Sequence, residues 1–405
     1  MARPTAAQLD ATAVDNFREY LKIASVHPNI DYGDCEKFLK KCANSLELPI
    51  TVYYMSGGST CKNPIIVITW IGTDSSLPSI CLNSHMDVVP VFPEYWTHDP
   101  FGAEMDDKGN IYARGSQDMK CVGIQYLEAI RRMKLNGQKL KRTIHITFVP
   151  EEEVGGINGM RDFVKTNDFK NLNIGFTLDE GVTSPTNNYY LFHGERSIWQ
   201  IEVHCPGNAG HASLLLDNTP GEKLRVIIDK FMDFRAEQKA KLSNPNKQIG
   251  DVTSVNLTQI AGGVQNNVIP SSLFVVFDIR IDTNTDHKTF EDMLNKWCEE
   301  AGEGIYIKFI QKEKFVEVTK LDETNPFWLA MKKSCDKQNI NLEIGIFPGG
   351  TDSRFIRDLG IPAIGFSPIN NTKILLHDHD EYLNKDVFLR GIEIYMDIIA
   401  SVASV

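Results

Sequence analysis

The chain has 405 residues, of which 42% are hydrophobic and 23% charged, an ordinary globular composition that is long enough for two or more domains. Its net charge is −11 at pH 7, and no Lys/Arg run forms a basic stripe, which argues against nucleic acid as a partner. No apolar run is long enough to span a membrane, and Met1-Ala2-Arg3-Pro4-Thr5 lacks the apolar core of a signal peptide. The eight cysteines (35, 42, 61, 81, 121, 205, 298 and 335) are scattered without a Cys-x-x-Cys pair. They read as reduced core residues of a cytosolic protein.

Val14, Phe17, Tyr20 and Leu21 recur at helical spacing within residues 8–24, and Phe38, Leu39, Cys42 and Leu46 do so within residues 34–46. Ile65 to Ile71 and Ile80-Cys81-Leu82 are apolar runs that predict buried strands. The second leads into Asn83-Ser84-His85-Met86-Asp87. A His-x-Asp at a strand end suits a metal ligand whose tautomer is fixed by a nearby carboxylate; taken alone it reads first as a satisfied surface histidine. Asp118 closes the glycine-containing loop Ala113 to Lys120, before a helix running to about Met133. By itself Asp118 reads as a helix N-cap.

Ile144 to Val149 predicts a strand that stops at Pro150, which cannot donate to a ladder. Glu151-Glu152-Glu153 and Gly155-Gly156 follow at once. A triple Glu is by itself a solvated acidic turn. Ile174 to Leu178 is a further strand ending in acid, Asp179-Glu180. Strands alternating with helices imply a largely parallel sheet, whose sites form outside the carboxyl ends of the strands. Several strands ending in His or acid on one edge favour a cation held by O and N ligands, and Zn²⁺ fits best.

The pattern then changes. Trp199, Ile201, Val203 and Cys205 alternate with polar residues, giving one face to helices and leaving the strand edge free for pairing. Thr219-Pro220-Gly221-Glu222 is a capping box. A helix, strands at Val252–Ile260 and Leu273–Ile281, a second helix and a strand at Ile305–Ile310 complete β-α-β-β-α-β, the ferredoxin-like order. Residues 193–313 therefore read as an inserted second domain, with residues 1–192 and 314–405 as the two parts of the first. The first pattern resumes with a strand at Leu342–Phe347, Thr351-Asp352-Ser353-Arg354, a strand at Ile361–Phe366 and Leu375-Leu376-His377-Asp378-His379-Asp380-Glu381 before a C-terminal helix. Gly57-Gly58 and Gly262-Gly263 lack the context of a phosphate-binding loop.

Asn83–Pro90, Ala113–Lys120, Phe148–Gly156, Gly207–His211, Thr351–Arg354 and Leu375–Glu381 together resemble the aminoacylases, N-acyl-L-amino-acid amidohydrolases of the co-catalytic zinc exopeptidase superfamily. The likeness runs in order through nearly the whole chain. It implies a zinc exopeptidase-like α/β domain, an inserted dimerisation and lid domain, two zinc ions and a cytoplasmic homodimer acting on a small N-acyl amino acid. His85 and Glu180 would hold one zinc, Glu153 and His377 the other, and Asp118 would bridge them. Asp179 is the alternative to Glu180, and spacing favours His377 over His379. Asp87 would orient His85, and Glu152 would be the general acid/base. His211 would reach the partner subunit's site, while Asn267, Arg280 and Arg354 would meet the substrate carboxylate. Arg280 also reads as half of a surface pair with Asp278. Ser116 and Ser353 stand where the resemblance leads one to expect Ala and Asn, and are expected to affect substrate fit.

Overall fold

The computed structural model describes residues 3–55 and 63–405. Met1, Ala2, the Gly57-Gly58 pair and Cys61 lie outside the described residues. The chain forms two compact units: one of residues 1–193, 319–344 and 351–405, the other of residues 194–318 and 345–350.

The first unit is built on a sheet whose strands are apolar on both faces. In Asn63–Trp70, Ile66 and Ile68 join one apolar cluster while Ile65 and Val67 join another. Period-two alternation thus feeds two cores, one on each side of the sheet. Ser79–His85 and Ile144–Val149 are buried along their whole length. Helices Ala6–Leu21, Gly33–Ser45, Lys120–Leu135 and Lys385–Val402 pack in the larger cluster, with Phe17 stacked on Phe388 at 4.4 Å between ring centroids. The centre of the sheet is parallel: Ile144–Val149 pairs with Ser79–His85, that strand with Ile174–Asp179, and Ile174–Asp179 with Ala363–Gly365. Antiparallel strands flank this centre, among them Ile50–Met55, Asn63–Trp70 and Tyr189–Glu195. Three neighbouring parallel strands therefore end side by side at His85, Val149 and Asp179.

The sequence reading misses several elements of this unit, the strand Ile50–Met55 and the following two among them. Tyr189–Glu195 is a strand, and Pro326–Lys337 is a helix whose Asn325 side chain accepts from the Trp328 N–H. The second had a legible signal, an Asn N-cap followed by Pro at the first helical position.

In the second unit the strand order is Ser254–Gly262, Ser272–Ile281, Ser197–Pro206, Tyr306–Lys312, antiparallel throughout. Helices Pro220–Lys241 and His287–Ala301 share one apolar cluster with Trp199, Ile201, Val203, Phe277 and Ile279. This is the ferredoxin-like arrangement. The capping box forms: Thr219 accepts from the Glu222 N–H, and Glu222 accepts from the Thr219 N–H. One expectation fails. Ser197–Pro206 has a neighbour on each side, so its edge is not free; the sheet's outer strands are Ser254–Gly262 and Tyr306–Lys312. Alternation reports which face a residue occupies and carries no information about lateral neighbours.

Candidate metal centre

The three adjoining strand ends bring His85, the Glu151–Glu153 turn and Asp179-Glu180 together. His85 Nδ1 lies 2.9 Å from the main-chain oxygen of Asp87, which can only accept, so Nδ1 carries the ring proton. Nε2 then faces Asp118 Oδ1 at 3.0 Å and Glu180 Oε2 at 3.5 Å. The other Asp118 oxygen, Oδ2, lies 3.3 Å from His377 Nε2, and Glu153 Oε2 is 3.2 Å from that same nitrogen. Ligand-capable atoms of His85, Glu152 and Glu180 lie within 4.8 Å of one another, as do those of His85, Asp118 and Glu153.

Each of these side chains has its own support. The loop carrying Asp118 is held by buried Glu381. Its carboxylate pairs with Arg114 Nη1 at 2.7 Å and accepts the main-chain N–H groups of Gly115 (3.2 Å), Gln117 (2.6 Å) and Asp118 (3.4 Å). Asp118 is not a helix cap. The N-cap of the following helix is Met119, which makes no side-chain cap hydrogen bond. The Glu151 turn is left-handed at Glu151 (φ 67°), Gly155 (95°) and Gly156 (64°). The N–H groups of Glu152 and Glu153 donate to the Asp87 carboxylate at 3.2 and 3.0 Å. Asp87 therefore orients His85 through its main-chain oxygen, while its side chain fixes the glutamates.

Asp179 is fully engaged within the protein. Oδ1 accepts from Asn83 Nδ2 (3.1 Å) and the Glu180 N–H (2.9 Å), and Oδ2 accepts from Ser353 Oγ (2.7 Å). Glu180, not Asp179, turns to His85. His379 packs against the Tyr95 ring at 5.1 Å, and His377 is the histidine that faces Asp118 and Glu153. Ser353 thus contacts Asp179, and Ser116 Oγ lies 3.4 Å from Glu381, which gathers the Asp118 loop. Arg354 is buried, with Nη2 donating to the Gly155 carbonyl at 3.3 Å. Buried Asp352, next to it, has a carboxyl pushed up to about 8 by burial and by Asp179.

The cluster is electrostatically unbalanced. Burial first, and then the Glu180 charge, pushes Glu152 well above the usual carboxylate range. Burial and Asp118 do the same to Glu180 and raise Glu153. Asp118 is held below the usual range: burial opposes this, but the hydrogen bonds of His377 and His85 prevail. Hydrogen bonds to Asp118 and Glu153 push His377 up to about 10. Four carboxylates and two imidazoles in one largely buried space carry more negative charge than the histidines can neutralise, and bound cations would offset it. All the donors are O and N, and one carboxylate points an oxygen to each histidine. This set fits a pair of borderline divalent ions.

The remaining predicted residues belong to the second unit and are described within it. His211 is exposed in the short strand Gly210–His211, opposite Val268, with Nδ1 2.8 Å from Ser213 Oγ. Asn267 adjoins it, its carbonyl accepting the Ala212 N–H at 2.9 Å. Arg280 forks onto Asp278 at 2.8 and 3.3 Å, the surface-pair arrangement.

A sheet with a parallel centre, His85 and carboxylates at its strand ends and His377 facing them from a loop, together with a ferredoxin-like unit, fits a metal-dependent hydrolase. The family described as peptidase family M20/M25/M40 matches residues 81–401, and the chain belongs to it. It is 50% identical over 394 residues to the aminoacylase-1 of Mus musculus, covering 97% of this chain and 96% of that one. The aminoacylase-1 of Dictyostelium discoideum is 47% identical over 401 residues, covering 96% and 97%. Among solved structures, a tripeptidase from Staphylococcus aureus superposes with a TM-score of 0.73 at 18% identity, covering 97% of this chain and 98% of that one. A dinuclear metal-binding M20 peptidase from Bacillus subtilis does so with a TM-score of 0.67 at 14% identity, covering 96% and 98%. These relatives bear out the aminoacylase resemblance read from the motifs.

Proposed function

We propose that the chain hydrolyses N-acyl-L-amino acids to a carboxylate and a free L-amino acid, with two zinc ions per subunit and as a cytoplasmic homodimer. The observation that carries this reading is the split of the Asp118 carboxylate between His85 and His377, the arrangement a bridging ligand needs. His85 and Glu180 would hold one ion, Glu153 and His377 the other, and Asp118 both. When bound, such a pair polarises a carbonyl and lowers the pKa of water. Glu152 takes the proton of the attacking water and returns it to the leaving amine. Its raised affinity for protons suits both halves of that task.

His211, from the partner subunit, stabilises the developing oxyanion. Arg354, Arg280 and Asn267 meet the α-carboxylate, with Arg280 leaving Asp278 to do so. Identity of about half over nearly full length to aminoacylase-1 supports this substrate class over dipeptides. A cytosolic setting is supported by the buried, free state of Cys35, Cys42, Cys81, Cys121, Cys205, Cys298 and Cys335. No described helix is long and apolar enough to cross a membrane. The deciding experiment is an amidase assay of the zinc-loaded protein on a panel of N-acyl amino acids with Met-Ala as the control. Preferential turnover of the dipeptide would overturn the reading.

A further inference from the structure

The family match begins at residue 81, yet the segment from Ser25 to Tyr32 adjoins the support of the metal centre. The Val88 N–H donates to the Ser25 carbonyl (2.8 Å), the His27 N–H to the Val88 carbonyl (3.2 Å), and Ser25 Oγ to the Met86 carbonyl (2.6 Å). Val26 and Val88 form a parallel bridge. This pairing delivers the His27 ring to the side chain of Asp87, with Nε2 2.9 Å from Oδ2. An ionised carboxylate only accepts, so His27 Nε2 carries the proton.

Asp87 is thereby a junction with four contacts. Its carboxylate receives His27 and the N–H groups of Glu152 and Glu153, and its main-chain oxygen receives His85. The same segment reaches the turn a second time. The Tyr32 hydroxyl accepts the Glu151 N–H at 3.2 Å and donates to Glu151 Oε1 at 3.2 Å. Glu151 is a non-glycine residue at positive φ, a conformation that persists where the surroundings impose it. Oδ2 of Asp87 accepts from both His27 and the Glu153 N–H, and Oδ1 accepts from the Glu152 N–H, so a side-chain donor that fixes the rotation of the carboxylate keeps both successive main-chain N–H groups in place. Without that donor the carboxylate can swing, and the turn loses its anchor.

We propose that His27 is a positioning residue: its Nε2–H locks the Asp87 carboxylate onto the Glu152 and Glu153 N–H groups, and so sets where the Glu152 carboxylate stands beside His85. This rests on the reading of Glu152 as the base. The alternative is a half-buried imidazole that merely finds an acceptor and serves packing.

The test compares His27→Leu, which fills the space without a donor, with His27→Gln, whose amide can donate. Three quantities are read on the full chain: zinc content, kcat and KM on an N-acyl amino acid, and amide hydrogen exchange of residues 150–156. His27→Leu should keep its zinc, lose roughly 10–100-fold in kcat with KM within about threefold, and exchange faster in that turn. His27→Gln should recover to within about threefold of the wild type. Unchanged exchange in the leucine variant, equal impairment in both variants, or zinc lost in step with activity would overturn the proposal. The exchange comparison needs no substrate, so it stands even if the assignment of the reaction fails. Should the leucine variant not fold, His27→Ala read against His27→Gln by the same exchange measurement decides.

Discussion

Asp118 turns Oδ2 to His377 at 3.3 Å while its other oxygen meets His85 at 3.0 Å. A single carboxylate serving two histidines, with Glu153 and Glu180 beside them, is the geometry from which the need for metal follows. Chelation should abolish activity, and added Zn²⁺ should restore it. Metal analysis of the active protein should find two zinc ions per chain. Full activity in protein freed of metal would end the assignment.

Glu152 lies within ligand distance of the His85–Glu180 pair, so its role as base has a direct competitor. Glu152→Gln keeps the shape and removes the proton acceptor. Activity should fall by roughly 10²–10⁴-fold, the usual size of a general-base effect, with zinc content unchanged. Loss of one zinc would make Glu152 a ligand instead.

Proton linkage gives a third expectation. Asp118 and Glu153 push His377 up to about 10 in the metal-free chain, above the ordinary value near 6.5. Its folded-state value is raised, so its contribution to the stability of the metal-free chain is complete at pH below the ordinary value. That contribution is lost as pH rises through about 10. Zinc binds the neutral ring, so loading at pH 8 should release protons and weaken as the solution is acidified, about tenfold per pH unit for each proton released. Calorimetry in two buffers of different ionisation enthalpy counts those protons. A heat independent of the buffer would show that His377 is not displaced from its proton.

The parallel centre and its charged edge were legible because continuous apolar runs stop at His85, Pro150 and Asp179, and each stop is followed by acid or imidazole. The choice between Asp179 and Glu180 was not, since neighbouring residues on a strand end differ only in which way they point. In the structure Ser353 and Asn83 occupy Asp179 while Glu180 faces His85, and both partners come from other elements of the fold. His27 was invisible for a related reason. A lone histidine before a proline carries no pattern, and its meaning arises only when Val26 pairs with Val88. Glu381 stood inside a recognised motif, but its task of gathering the N–H groups of the Asp118 loop is a matter of tertiary contact.

His211 sits on the second unit, exposed, with its ring nitrogen at Ser213, so a role across subunits has to be tested by complementation. Mixing inactive His211→Ala with inactive Glu152→Gln under conditions of subunit exchange yields heterodimers in which one site carries both defects and the other neither. About half of the heterodimer sites should then recover, on the symmetry argument. Background activity despite demonstrated exchange would confine His211 to its own chain or remove it from the reaction.

The last expectation concerns what the substrate must carry. Arg280 is forked onto Asp278, which also accepts from Gln200 Nε2 at 3.1 Å; both members of the pair are about a quarter exposed. An ion pair at such a site is weak, because water screens it, and a substrate carboxylate can compete for the same planar fork. Arg354 is better placed to be fixed in advance: it is buried and donates to the carbonyl of Gly155, in the turn that carries Glu152. A free α-carboxylate next to the scissile amide should therefore matter, and Arg354 should matter more than Arg280. N-acyl amino acids should be hydrolysed, and their carboxamides should lose roughly tenfold to a hundredfold in kcat/KM, the size of one charge-assisted hydrogen bond. Arg354→Lys, which keeps the charge and loses the fork, should lower kcat/KM on the acid and leave the rate on the carboxamide nearly unchanged, thereby closing the gap between them. Equal rates for acid and carboxamide in the wild type would show that the site does not read a carboxylate, and would move the activity toward general amide hydrolysis.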